Sequence, residues 1–136
     1  MKVYKVVATL SPYDVMVSCR TRVYKNLTSP AVLTYEIGKV TRPAFGYIFC
    51  FKNKDDAIRF SISFPEDGKT VVLAGIGVPV NKTIKPRTVH ISSPVETMIS
   101  MWENLNDPNI CRIAPNGTVL MRTFRPLEEV KINWED

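Results

Sequence analysis

An α+β fold, with a mainly antiparallel sheet of about seven strands and two short helices, is predicted by three features of this 136-residue sequence. Runs of β-branched and apolar residues recur at short intervals, each closed by Pro, Gly or Asn. Helix signals occur in only two places, Asn53 to Phe60 and Ser93 to Trp102. The strand-like runs do not alternate with helices, so a doubly wound parallel sheet is not expected.

The elements follow in order. Val3 to Thr9 is β-branched and apolar, and Leu10-Ser11-Pro12 makes a turn. Tyr13, Val15, Val17 and Cys19 then alternate with Asp14, Met16 and Ser18, completing a predicted β-hairpin. A short strand comes next, with Leu33, Tyr35 and Ile37 alternating with Thr34 and Glu36, and Gly38 ends it. Gly46 to Phe51 is continuously apolar, the mark of a strand covered on both faces. Asn53 is placed to cap a helix whose first turn carries Asp55 and Asp56, which favour the positive end of the helix dipole. Ala57, Ile58 and Phe60 give that helix its buried stripe. Pro65-Glu66-Asp67-Gly68 signals a turn, and Thr70 to Val80 a strand. Gly75 and Gly77 within that strand predict a bulge or a close backbone approach. Ser93 is an N-cap with Pro94 at the first helical position and Glu96 closing a capping box. Val95, Met98, Ile99 and Trp102 then share one helix face. Finally, Asn116-Gly117 between Ile110–Ile113 and Thr118–Arg125 predicts a hairpin, with Val130 to Ile132 as a last edge.

Hydrophobic residues at 45% and charged residues at 23% describe a globular chain, and no linker or repeat divides it. One domain spanning residues 1–136 is expected. The longest apolar run, Val71 to Val80, holds two glycines and a proline and is too short to span a bilayer. No secretory apolar region follows Met1, so the expected location is the cytoplasm, with no membrane partner. Cys19, Cys50 and Cys111 are odd in number, widely spaced and without a C-x-x-C. Reduced thiols, at least one buried, are expected, with no zinc site and no disulfide framework.

Chemistry is sparse. The one histidine, His90, has no partner in sequence, and no nucleophile elbow, zinc-protease motif or phosphate loop occurs. Asp55-Asp56 and Glu128-Glu129 are adjacent pairs, which point their carboxylates different ways. No catalytic residue, metal or cofactor is assigned. The net charge of +5 is unevenly spread: residues 1–54 hold nine Lys or Arg against two acids, residues 55–136 nine against eleven. Arg20 and Arg22 sit two apart in a five-member basic set that also holds Lys25, Lys39 and Arg42. Lys82, Lys85 and Arg87 form a second cluster. Guanidinium groups take phosphate oxygens bidentately, and aromatic rings such as those of Tyr24 and Tyr35 offer a base a stacking surface. Arg20, Arg22, Lys82, Lys85 and Arg87 are therefore the candidate phosphate ligands, with Tyr24 and Tyr35 as stacking candidates. The same residues also fit a solvated face and core tyrosines.

Tyr4-Lys5-Val6-Val7, Tyr35-Glu36-Ile37-Gly38-Lys39, Gly46 to Phe51 with Ala57 and Phe60, and Gly117 to Leu120 with Arg125 to Val130 resemble uncharacterised small accessory proteins of phages and prophages. The resemblance implies a viral accessory protein in the host cytoplasm. Some small phage proteins of this size act as anti-defence sponges that sequester nucleotide immune signals, several as homo-oligomers, and by that analogy a non-enzymatic binder of a small anionic, nucleotide-like ligand is the expectation here. Gly46 to Phe51, the helix with Ala57 and Phe60, and the strand at Val71 also look like part of an ADP-ribosyltransferase core. That second resemblance implies an enzyme with Arg20 or Arg22 and Glu96 at its site. A basic nucleic-acid or protein-binding module is the remaining alternative.

Overall fold

The computed structural model describes residues 1–10, 15–18, 33–43, 46–63, 69–80, 87–88 and 112–131. They form β1 (Lys2–Leu10), β2 (Val15–Ser18), β3 (Thr34–Tyr35), β4 (Ile48–Phe51), α1 (Lys54–Ser63), β5 (Lys69–Pro79), β6 (Arg87–Thr88), β7 (Arg112–Ile113) and β8 (Thr118–Val130). Six strands make one sheet in the order β3-β2-β1-β4-β8-β5, and β5 pairs again with β1. The strands β1, β4, β8 and β5 thus close into a four-stranded antiparallel barrel. The pair β6–β7 is a separate ribbon.

Closure depends on two long strands that use both edges. One edge of β1 pairs with β5 from Lys2↔Ile76 to Thr9↔Lys69. Its other edge meets β4 at Tyr4↔Phe51 and β2 from Val7↔Ser18 to Leu10↔Val15. The 13 residues of β8 pair with β4 over Thr118–Met121 and with β5 over Met121–Val130. Beyond β4, the free edge of β8 is taken by Thr41, which exchanges backbone hydrogen bonds of 2.8 and 3.1 Å with Phe124. The Gly38 N–H donates to the Pro126 carbonyl at 2.7 Å, and the Thr41 hydroxyl to the Thr34 carbonyl at 2.9 Å. The segment 38–41 therefore bridges β3 to β8.

Alternation along the strands turns Val3, Val7, Ile48, Cys50, Val71, Leu73, Met121 and Phe124 into the barrel, where Tyr35 joins them. A barrel this small has an interior that side chains fill completely. Burying each large apolar side chain there contributes about 1.5–3 kcal/mol. Filling also explains two residues. A Cβ on Gly77 would stand 2.7 Å from Met121 Cγ and 3.1 Å from Val3 Cγ2, and one on Gly75 2.8 Å from Pro126 Cα. The β5–β8 ladder slips between Ala74 and Gly75, so both the bulge and the close approach predicted at these glycines occur. Outside the barrel, α1 lays Ala57 on Val6, Phe51 and Val72, with Tyr4, Ile58, Phe60 and Val130 around them. The strand at Ile48–Phe51 is covered on both faces, by the interior and by the helix.

The expected fold class is corrected by these pairings. The described residues are mostly strand with one helix and a closed four-stranded barrel, in place of a seven-stranded sheet with two helices. Hydrophobic alternation specifies which face of a strand is buried, whereas closure depends on which edges meet, and that information is not in the alternation. The expected second helix, Ser93 to Trp102, lies outside the described residues. The expected hairpin at Asn116-Gly117 is also corrected. The turn forms, with Gly117 at φ +80° and the Thr118 N–H donating to the Pro115 carbonyl at 3.2 Å. Yet β7 pairs with β6, while β8 pairs with β4 and β5. The strand expected through Ile37 stops at Tyr35, because the Lys39 N–H turns back to the Glu36 carbonyl at 3.0 Å. Val130 ends β8 opposite Val72 and adds no new edge. No helix among the described residues is long and apolar enough to cross a membrane.

Candidate functional site

Among the described residues, the helix covers one outer face of the barrel and leaves another bare. On the bare face, register places Lys2 beside Ile76 and Ile76 beside Arg125. The antiparallel Thr41–Phe124 bridge sets Val40 beside Arg125 and Arg42 beside Thr123, whose other neighbour is Val78. The residues between them, Val3, Phe124 and Thr41, are buried, so alternation turns these two rows outward. Val40 is 50% exposed, Ile76 39% and Val78 51%. Lys2, Arg42, Arg122 and Arg125 are exposed as well.

Arg42 and Arg125 are diagonal neighbours across the Thr41–Phe124 bridge. Such pairs stand roughly 7–8 Å apart at Cα, within reach of one another for long side chains. Two guanidinium groups so placed can hold one phosphate between them, with the Thr123 hydroxyl as a further donor. Among the described residues neither Arg42, Arg122 nor Arg125 has an ion-pair partner. Lys39–Glu36 at 3.1 Å and Arg59–Asp56 at 3.6 Å are ion pairs elsewhere on the surface. Lys2 is two strands from Arg125, about 10 Å away at the usual strand spacing. Its ammonium stands 6.0 Å from the centre of the Tyr4 ring.

The interior offers no comparable chemistry. Lys5 lies between Val3 and Val7 on β1, so alternation turns it inward, and its half-buried ammonium donates to the Phe49 carbonyl at 2.8 Å. Burial pushes the Cys50 thiol up to about 12 from its ordinary 9.0, while the Lys5 charge pulls it the other way. A thiol held that high is neutral at physiological pH and is not a nucleophile. Cys50 is a free, buried cysteine, matching the expectation of at least one. Among the described residues no three His, Cys, Asp or Glu side chains are grouped to hold a metal.

Of the residues the sequence put forward, Arg20, Arg22, Tyr24, Lys82 and Lys85 lie outside the described residues, as do His90, Glu96, Cys19 and Cys111. Arg87 is on β6, paired in register with Ile113 of β7, and the next pair brings in Arg112. Tyr35 belongs to the core: it is 4% exposed and meets Phe124 edge-on at 6.2 Å and 65°. Sequence reasoning grouped Arg42 with its neighbours in the chain and left Arg125 out of the site. Only the Thr41–Phe124 bridge, whose partners are far apart in the chain, brings them together. No family model, curated protein or solved structure matches the chain.

Proposed function

We propose that this chain is a non-enzymatic binding protein for a small anionic, nucleotide-like ligand, held on the bare face of the barrel. The observation that carries the reading is the diagonal placement of Arg42 and Arg125, both exposed, with no ion-pair partner among the described residues. In this reading the two guanidiniums and Thr123 take a phosphate, and Val40, Ile76 and Val78 lie under the rest of the ligand. Val40, Ile76 and Val78 are exposed β-branched side chains placed among these cations. The likeness of the strand and turn patterns to small phage accessory proteins supports the same class of function, a sponge that holds a signal without turning it over.

A thermal-shift panel of mononucleotides, dinucleotide cofactors, cyclic nucleotides and short oligonucleotides tests the reading. A ligand at a hundred times its dissociation constant adds about 2.7 kcal/mol, which raises the melting midpoint by several degrees. The expected result is a shift with one nucleotide class that disappears in the R42A/R125A double variant. A flat response across the panel overturns the function. A shift that persists in the double variant overturns the site.

A further inference from the structure

Resting on that reading, we infer that the site reads the charge of its ligand and not its base, so that its ligand class is nucleotides carrying several phosphates. A base is identified either by hydrogen bonds to its edges, from amides, carboxylates or backbone, or by stacking on an aromatic ring. The two outward rows consist of Lys2, Ile76, Arg125 and Val40, and of Val78, Thr123 and Arg42. Among the described residues no amide, carboxylate or aromatic side chain stands in either row, and the Tyr4 ring beside Lys2 packs against the cluster under α1. Contact with Val, Ile and Val is non-directional and rewards every base alike.

The cations are arranged differently. Arg42 and Arg125 suffice for one phosphate, and the face goes on past them. Arg122 falls where the β5–β8 ladder slips between Val78 and Pro79, and Lys2 lies across Ile76 from Arg125. A single phosphate leaves Lys2 and Arg122 unmatched, whereas a chain of phosphates extends toward them. Each added phosphate therefore gains a further charge-assisted contact.

Isothermal titration at low salt separates the possibilities, with ATP, GTP, CTP, ADP, AMP and inorganic tripolyphosphate as probes. The three triphosphates are expected to bind within about threefold of one another, since aliphatic contacts discriminate weakly. Affinity is expected to fall about tenfold for each phosphate removed, the worth of one charge-assisted contact. Tripolyphosphate alone is expected to bind, and Lys2→Ala to weaken ATP while leaving AMP unchanged. AMP binding as tightly as ATP, or one base preferred more than about thirtyfold over the others, would overturn the inference and leave the proposed function standing. No binding by any of these probes would overturn the inference, and a flat thermal-shift panel beside it would overturn the proposed function as well.

Discussion

The two outer faces of the barrel are built from the same strands and have opposite fates. On β5, Val72 is fully buried under α1, while Ile76, four residues on and turned the same way, is 39% exposed. The residue types barely differ. What differs is reach: the ten residues of α1 span about 15 Å, whereas the eleven of β5 span about 36 Å. The helix docks at one end, over Val6, Phe51 and Val72, and is too short to cover the other. A β-branched residue at the uncovered end serves the strand without serving the core. There it is joined by Lys2 and Arg125, which a buried face would not accept.

The first way to test this contrast is to strike what both faces share. Phe124 is fully buried, packs edge-on against Tyr35, and pairs through its backbone with Thr41. Phe124→Ala is expected to cost about 3–5 kcal/mol, read from urea denaturation. The Thr41 bridge is made by backbone groups that alanine keeps, so Arg42 stays beside Arg125 and the variant that remains folded should still bind ligand. A loss under about 1 kcal/mol would mean that the interior is not packed as described.

The interior also has a pH signature. The Cys50 thiol is raised to about 12, so the folded state keeps its proton when the unfolded chain, at about 9.0, has released it. The sign follows: this contribution is fully present below pH 9 and is lost as pH rises from about 9 toward 12. Lys5 faces the same thiol, and other groups titrate in the same range, so the measurement is a difference. Stability of the wild type relative to Cys50→Ala, followed by urea midpoint from about pH 8 to pH 11, is expected to fall as pH rises. A difference that stays constant would show that Cys50 is accessible to water.

Much of this was legible in the sequence, and the part that was not has a physical cause. The strand at Ile48–Phe51, the helix behind Asn53, and the crowding at Gly75 and Gly77 all rest on local signals, and all are present. The barrel was hidden because alternation gives each strand a face and says nothing of which edges meet. Asn116-Gly117 shows the same limit. The tight turn was readable, but the partner of the next strand was not: Val119 pairs with Cys50, far up the chain. The same limit applies to the candidate site, most of whose residues lie outside the described ones. Arg20 and Arg22 were chosen for spacing along one strand, whereas Arg42 and Arg125 are neighbours only across two.

The smallest effects sharpen the comparison of faces most directly, as a matched pair. Phe60 on α1 is half-buried and stacks at 5.4 Å, tilted by 44°, on Phe51. Phe60→Ala removes that ring from the covered face and is expected to cost about 2 kcal/mol, less than a full core deletion. Ile76→Thr alters the bare face while keeping a β-branched strand residue, and is expected to move stability by no more than about 0.5 kcal/mol. Ligand binding should respond in the reverse order, with Ile76→Thr weakening it and Phe60→Ala leaving the folded protein's affinity intact. A cost at Ile76 as large as that at Phe60 would show that the bare face is covered, and then the arginines beside it would be holding a protein surface in place of a nucleotide.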